Sequence, residues 1–161
     1  MADYRFVTRW HLAAPIETVY GALSEPPAWP HWWPGLVAVE LLATGDGEGR
    51  GRRYRYLWRS ALGYRLRFEV NVTRVEQPRL IEALASGDLE GIGRWELEGS
   101  ATGTRVTHLW RVRTTPPWMN LSAPLTRPFF AWSHHRLMRR GALGLARHLA
   151  APLVGPVEMS G

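Results

Sequence analysis

The sequence predicts an α+β fold in which a curved antiparallel sheet of about six or seven strands wraps around one long C-terminal helix. Residues 64–73 alternate between apolar and polar side chains without interruption, which indicates a strand with one dry face and one hydrated face. Other alternating segments are separated by short turns, and such turns join antiparallel neighbours. An amphipathic segment at about residues 126–150 can cover the dry face of that sheet.

The first predicted elements are a strand over residues 4–12 and two short helices. A helix begins near Pro15, because proline is tolerated in a first turn. Its apolar face is formed by Ile16, Val19, Tyr20 and Leu23. Prolines divide the next segment, residues 26–34, into short turns. We expect its three tryptophans to cap one edge of the core: Trp29, Trp32 and Trp33.

Six further strands and one helix complete the predicted order. The strands are expected at residues 36–42, 52–59, 64–73, 80–86, 92–98 and 104–113. We expect the last helix to begin at Phe129 or one turn earlier, because prolines interrupt the segment before it. Its inward stripe is predicted to be Phe130, His134, Leu137, Met138, Gly141, Leu145 and Leu149. We expect Gly141 and Gly144 to permit close approach of a neighbouring element, and the tail from Pro152 to fray.

Composition favours one domain over residues 1–161, with a core at about residues 4–150. The chain is 45% hydrophobic and 21% charged, which excludes a disordered chain. No apolar run approaches the roughly 18 residues of a transmembrane helix, and the N-terminus lacks a signal-peptide pattern. The absence of cysteine excludes disulfides, a zinc finger and a cysteine nucleophile. We therefore expect a cytoplasmic location.

The net charge of +6 comes from 20 basic residues, all of them arginine. Arginines cluster at Arg50, Arg52, Arg53, Arg55 and Arg59, and again at Arg136, Arg139, Arg140 and Arg147. A basic face attracts nucleic acid or anionic lipid. However, periodicity puts most of these arginines on the solvent side, so we favour a hydrated face. Nucleic acid is not expected as a partner, whereas contact with a membrane surface stays open.

Strand and helix phase predict a cavity between sheet and helix, with a few polar groups among apolar ones. We expect the lining to be Thr8, Trp10, Tyr54, Tyr56, Tyr64, Leu66, Phe68, Val70, Gly93, Trp95, His108, Trp110, Phe130, His134 and Met138. His108 and His134, with a tyrosine or Glu82, are candidates for acid–base catalysis. We favour the competing interpretation, in which each histidine is a hydrogen-bonded residue of the core and has no catalytic role.

Metal and cofactor sites are not predicted. His134 and His135 are adjacent and point about 100° apart on a helix, so they are poorly placed to share one ion. The glycine-rich segment 45–51 lacks the ending of a phosphate-binding loop and is expected to be a hairpin turn. No Gly-x-Ser-x-Gly nucleophile motif occurs.

Four local sequences carry a family resemblance: APIETVY at 14–20, WWPG at 32–35, GDLEGIGRW at 87–95 and WSHHRLMRRG at 132–141. With the element order, they resemble the START-like (SRPBCC) superfamily, and within it the polyketide cyclase/dehydrase-like branch. The resemblance extends from Tyr4 to about Ala150. It implies a helix-grip fold and a hydrophobic cavity between the sheet and the last helix. It carries no catalytic residue over.

The function predicted from these observations is binding of a hydrophobic or aromatic small molecule, lipid- or polyketide-like, in that cavity. One alternative is a polyketide aromatase/cyclase or dehydratase that uses histidine, tyrosine or glutamate in the cavity. The other is an arginine-rich face that binds nucleic acid or an anionic surface, with affinity that falls as salt rises. The ligand and the oligomeric state stay open.

Overall fold

The computed structural model describes residues 3–161, which form one sheet, two α-helices and a short 3-10 helix. The elements in chain order are β1 (Asp3–Leu12), α1 (Ile16–Leu23), the 3-10 helix (Pro26–His31), β2 (Leu36–Thr44), β3 (Arg52–Arg59), β4 (Arg65–Glu76), β5 (Leu80–Gly87), β6 (Leu89–Ser100), β7 (Gly103–Thr114), α2 (Pro117–His148) and β8 (Glu158–Ser160).

The sheet has eight strands in the order β2-β3-β4-β5-β6-β7-β1-β8, and all neighbours are antiparallel. Chain-adjacent strands from β2 to β7 pair directly, and β1 closes onto β7 with Thr8 opposite His108. The long helix α2 lies against the inner face of this sheet, with Phe130, Met138 and Leu145 buried. The predicted α+β helix-grip fold is confirmed.

The eighth strand comes from the tail, where the prediction of a frayed segment from Pro152 was wrong. Leu153 forms a bridge to Leu12, and Ser160 pairs with Val7 on β1. An edge strand presents unpaired backbone N–H and C=O groups, so a short additional strand there satisfies part of β1. The sequence analysis missed this strand because its three residues are too few to show an alternating pattern.

The start of α2 was also predicted wrongly, twelve residues too late. The helix begins at Pro117 and continues through Pro124 and Pro128. Proline at the first helical positions is tolerated. Near the interior prolines, two hydroxyl groups also bond to carbonyls one turn earlier in the helix. Ser122 donates a hydrogen bond to the carbonyl of Trp118, and Thr126 donates one to the carbonyl of Ser122. Burial of side chains on the inner face further offsets the cost of proline.

Close packing fixes the second half of α2 against the segment that follows the 3-10 helix. A Cβ atom added at Gly141 would lie 2.5 Å from the indole of Trp33, and one at Gly144 would lie 1.8 Å from the carbonyl oxygen of Trp32. The Trp33 Nε1 donates a 2.9 Å hydrogen bond to the carbonyl of Leu137. The expectation that these helix glycines permit close approach is therefore confirmed.

Among the helices in the described part of the chain, none combines the length and the hydropathy needed to cross a membrane.

Candidate ligand-binding site

A cavity of about 180 Å³ lies between the inner face of the sheet and α2. Its lining is dominated by aromatic and aliphatic side chains from β1, β3 to β7, α2 and the tryptophan-rich segment. The sheet places these side chains there because every second residue of a strand points to the same face. On β4, for example, Leu66, Phe68, Val70 and Val72 all face the cavity.

The sequence-predicted lining residues come together in this cavity, except for two. Those that line it are Tyr54, Tyr56, Tyr64, Leu66, Phe68, Val70, Gly93, Trp95, His108, Trp110, Phe130, His134 and Met138. Thr8 and Trp10 point inward but are fully buried and do not reach the cavity. Trp10 packs against Trp33 and Trp95, with ring centroids 5.6 Å and 5.3 Å apart, and these two indoles line the cavity in front of it.

Sequence reasoning missed several lining residues. Tyr4 and Phe6 share the strand phase of Thr8, so the alternation of β1 already contained the signal for them. Trp29 and Trp33 were expected to cap one edge of the core, and instead their rings line the cavity. The reason is tertiary: the 3-10 helix turns this segment inward, where Trp29 donates a hydrogen bond to the carbonyl of Ala22.

His108, on β7, lies at the centre of the aromatic lining. Its ring centroid is 4.2 Å from that of Trp95 and 5.9 Å from that of Trp110. Burial lowers the pKa of His108 to about 3, because the charged imidazolium is poorly solvated among indoles. Its Nδ1 atom is buried and has no hydrogen-bond partner among residues 3–161. At neutral pH this histidine is therefore an uncharged polar group facing the cavity.

His134, on α2, presents a second imidazole to the same cavity. Burial, together with the nearby His108 and His135, holds the pKa of His134 well below its ordinary value. Its Nε2 atom is also buried without a hydrogen-bond partner in the described part of the chain. A neutral imidazole nitrogen donates or accepts a hydrogen bond according to its tautomer. Both histidines thus offer unsatisfied hydrogen-bonding capacity to a molecule in the cavity.

One end of the cavity carries tyrosine and serine hydroxyl groups. Burial raises the pKa of the Tyr64 phenol, while the hydroxyl groups of Ser133 and Ser60 beside it partly oppose that rise. Burial also raises the pKa of Tyr4, whose hydroxyl has no hydrogen-bond partner within residues 3–161. Both phenols are protonated at neutral pH and are available as hydrogen-bond donors.

Glu82 does not belong to this site, which corrects the prediction that it is a candidate acid or base. It lies on the opposite face of β5 and accepts a 2.7 Å hydrogen bond from Nε of Arg94 on β6. The phase of residues 80–86 was ambiguous in the sequence. The structure resolves it, because Ala83 and Ala85 line the cavity and Glu82 points away.

A second pocket of about 490 Å³ lies beside the end of the cavity that carries Tyr64 and Ser133. The two share the lining residues Arg59, Ser60, Ser133 and Leu137. The outer pocket is basic, because its lining includes Arg59, Arg136 and Arg140 and, within residues 3–161, no carboxylate. We call it the basic vestibule. Arginine side chains thus lie next to one end of the aromatic lining.

No group of three or more histidine, aspartate or glutamate side chains within residues 3–161 is arranged to hold a metal ion.

The protein has a START-like, ligand-binding fold. A bent antiparallel sheet and a C-terminal helix enclose the cavity, and this arrangement defines the class. The family follows from the sequence match: a family model described as "Polyketide cyclase / dehydrase and lipid transport" matches residues 4–150. The chain therefore belongs to this family, and the resemblance seen in its local sequences is confirmed.

Solved structures show the same fold at low identity. A protein from Thermus thermophilus is 18% identical, with a TM-score of 0.75 over 92% of this chain and 97% of the other. A START superfamily protein from Mycobacterium smegmatis is 17% identical, with a TM-score of 0.73 over 91% and 98% of the two chains. The di-domain ARO/CYC protein BexL is 16% identical, with a TM-score of 0.72 over 93% of this chain. This chain spans about half, 51%, of BexL. Among curated proteins, none matches this sequence significantly.

Proposed function

We propose that this protein binds a compact aromatic or otherwise apolar small molecule in the cavity between the sheet and α2. The observation that carries the proposal is an aromatic lining that includes three of the six buried side-chain polar atoms without partners among residues 3–161. They are the hydroxyl of Tyr4, Nδ1 of His108 and Nε2 of His134. Buried polar groups are normally hydrogen-bonded, and a ligand with one or two oxygen atoms would satisfy them.

The size of the cavity narrows the ligand class. Small-molecule sites commonly measure about 300–1,000 Å³, whereas a cavity of about 150 Å³ accepts benzene. At about 180 Å³, this cavity fits a substituted single ring without rearrangement. A polycyclic polyketide or a long acyl chain requires side chains to move. The basic vestibule favours a ligand whose exposed end is polar or anionic.

A direct test compares ligand binding by variants at two neighbouring residues of β5 that point to opposite faces. Ala85→Leu places an isobutyl group in the cavity, whereas Leu84→Phe adds bulk on the outer face, where Leu84 is exposed. We expect phenol to bind to the wild-type protein and to Leu84→Phe, with markedly weaker binding to Ala85→Leu. Tryptophan fluorescence and calorimetry report the binding, because several lining side chains are indoles. Equal binding by both folded variants would contradict the proposal.

Native mass spectrometry of the purified protein, followed by denaturing extraction, addresses the natural ligand. We expect a stoichiometric apolar compound of low mass. If the protein is empty and a panel of phenols, naphthols and fatty acids fails to bind, the cavity is not a ligand site.

A second candidate function is cyclisation or dehydration of a polyketide-like substrate. Its support is that His108, His134 and Tyr64 line one cavity. An efficient general base has a pKa near the working pH, whereas burial lowers the pKa of His108 to about 3. The carboxylate of Glu82 is directed away. Binding is therefore the better-supported function. Turnover of a linear poly-β-ketone that is abolished by His108→Phe would reverse this order.

A further inference from the structure

The outer face of the first half of α2 is an exposed apolar stripe. Its members are Trp118, Leu121, Leu125, Phe129 and Trp132. Leu121 and Leu125 are 85% and 80% exposed, and the three aromatic side chains are about half exposed. Scattered exposed leucines are ordinary, but a contiguous patch of large apolar side chains marks an interaction surface. We call these five residues the outer stripe.

Helical geometry places the outer stripe on one narrow face. At about 100° per residue the five side chains fall within an arc of about 80°, and they extend over about 21 Å of helix. The opposite side of the same segment is also apolar, with Met119, Ala123 and Phe130 buried against the body of the protein. A helix that is apolar on both sides is normally covered on both sides. In this protein the side with Met119 and Phe130 is covered, whereas the outer stripe is exposed within the described residues.

The charge of α2 is entirely basic, which favours an anionic partner for the outer stripe. The helix contains no aspartate or glutamate. The turns that follow the stripe carry Arg136, Arg139 and Arg140, which have no carboxylate partner among residues 3–161. The guanidinium of Arg136 lies 5.5 Å from the ring centroid of Trp132, so the basic and apolar parts are continuous.

The other arginine cluster, on and before β3, differs. Arg50 pairs with Asp46 and Glu48, Arg53 with Glu69, and Arg55 with Glu40 and Glu69. Arg50, Arg53 and Arg55 thus lie beside carboxylates that compensate their charge, whereas Arg52 and Arg59 of the same cluster have no carboxylate partner within residues 3–161. On α2 no arginine beside the outer stripe is compensated in this way, since the helix itself contains no carboxylate.

We propose that the outer stripe of α2 docks on the surface of an anionic lipid bilayer. Tryptophan, leucine and phenylalanine on one helix face insert at the boundary between headgroups and acyl chains. Arginine beside them meets the lipid phosphates, and each basic residue near an anionic surface adds to the attraction. The helix lies on the membrane in this arrangement and does not cross it.

A second copy of the chain fits the same surface less well. A symmetric dimer that buries the outer stripe uses the same patch on both subunits, so it pairs two surfaces that carry basic charge of the same sign. Two chains of net charge +6 also repel each other. An anionic bilayer offers both the apolar phase and the opposite charge.

Docking through the outer stripe turns the basic vestibule toward the lipid. Trp132, Arg136 and Arg140 line this vestibule, which adjoins the inner cavity. If the proposed ligand binding holds, the cavity exchanges its ligand at the membrane surface. The docking itself does not depend on that function, since it uses side chains outside the cavity.

The test is flotation of the full chain with vesicles of phosphatidylcholine alone and of phosphatidylcholine with phosphatidylglycerol. We expect binding to the anionic vesicles, weakened by salt, and little binding to the neutral ones. The double variant Leu121→Asp/Leu125→Asp should lower the partition coefficient at least about tenfold. Leu84→Asp is the matched control, because Leu84 is an exposed leucine on the outer face of the sheet. It should bind like the wild-type protein.

Three results would overturn the proposal. The first is equal binding by the double variant and Leu84→Asp, which would assign the affinity to charge alone. The second is a failure of the folded wild-type protein to float with anionic vesicles. The third is a dimer in solution, measured by light scattering without lipid, that the leucine variants dissociate. Circular dichroism verifies the fold of each variant, and phenol binding reports the cavity separately.

Discussion

The imidazole of His134 stacks on the phenyl ring of Phe6, with ring centroids 4.1 Å apart and planes inclined by 17°. This contact brings α2 and β1 together at the cavity and keeps the imidazole in an aromatic, poorly solvated position. Since the pKa of His134 is lowered well below its ordinary value by this burial, its ring is neutral at neutral pH. The same holds for His108, so two titratable side chains act at neutral pH as polar members of an apolar lining.

The first prediction is that the protein loses stability as the pH falls from about 6.5 toward 4. A histidine with a lowered folded-state pKa is protonated more readily in the unfolded chain, so acid favours unfolding. His108 thus contributes stability that is fully present above its ordinary pKa of 6.5 and is lost progressively toward its folded pKa of about 3. The slope approaches about 1.4 kcal/mol per pH unit for each such histidine. Urea denaturation at several pH values measures it.

Replacing His108 with phenylalanine should flatten this pH dependence, because the ring is retained and the titrating group is removed. His31→Phe serves as the control, since His31 is exposed. A pH profile that is unchanged by His108→Phe would contradict the assignment.

The second prediction compares a residue of α2 that lines the cavity with a residue on the outer face of the sheet. His134→Ala should weaken phenol binding, because it removes a hydrogen-bonding nitrogen and the Phe6 stack from the cavity lining. Glu82→Gln should leave binding unchanged and cost about 1 kcal/mol or less, because it weakens a pair with Arg94 outside the cavity. Calorimetric titration of each variant checks both. Loss of binding in Glu82→Gln alone would mean that the strand phase of β5 is wrong.

The third prediction concerns two glycines on the same strand, β6. A Cβ atom at Gly93 would lie 2.7 Å from Cζ3 of Trp110, whereas one at Gly99 would meet nothing within 4 Å. Gly93→Ala should therefore displace the Trp110 ring into the cavity, weaken ligand binding and cost about 1–3 kcal/mol of stability. Gly99→Ala should be neutral or slightly stabilising. Similar values for the two variants in urea denaturation would be inconsistent with this packing.

The fourth prediction compares a glycine in each helix. Gly144→Ala should destabilise the protein by about 3 kcal/mol or more, because its Cβ atom would overlap the backbone carbonyl of Trp32. Gly21→Ala, in α1, meets nothing within 4 Å and should stabilise by up to about 1 kcal/mol through helix propensity. Thermal denaturation of both variants provides the measurement. A stable Gly144→Ala protein would require a looser packing of α2 than the one described.

Strand alternation and turn residues predicted most of the fold, because both are local properties of the chain. The strand over residues 64–73 corresponds to β4, although the structure places it at Arg65–Glu76. Most of the predicted lining residues also lie together, since strand phase decides which face a side chain occupies. Local signals failed for α2, where Pro124 and Pro128 were interpreted as helix breakers. Its tertiary contacts on Met119 and Ala123 offset the cost of those prolines.

The sequence by itself determined the class of fold, the inward face of the strands that alternate clearly, such as β4, and the resemblance to the family. Each of these depends on residues near one another in the chain or on the order of elements. Only the tertiary structure decided that Trp10 is buried behind Trp33 and Trp95, that Glu82 faces away, and that the cavity is about 180 Å³. It also decided that half of α2 leaves an apolar face uncovered. The physical reason is that cavity size and exposure depend on the packing of elements distant in sequence, which periodicity does not encode.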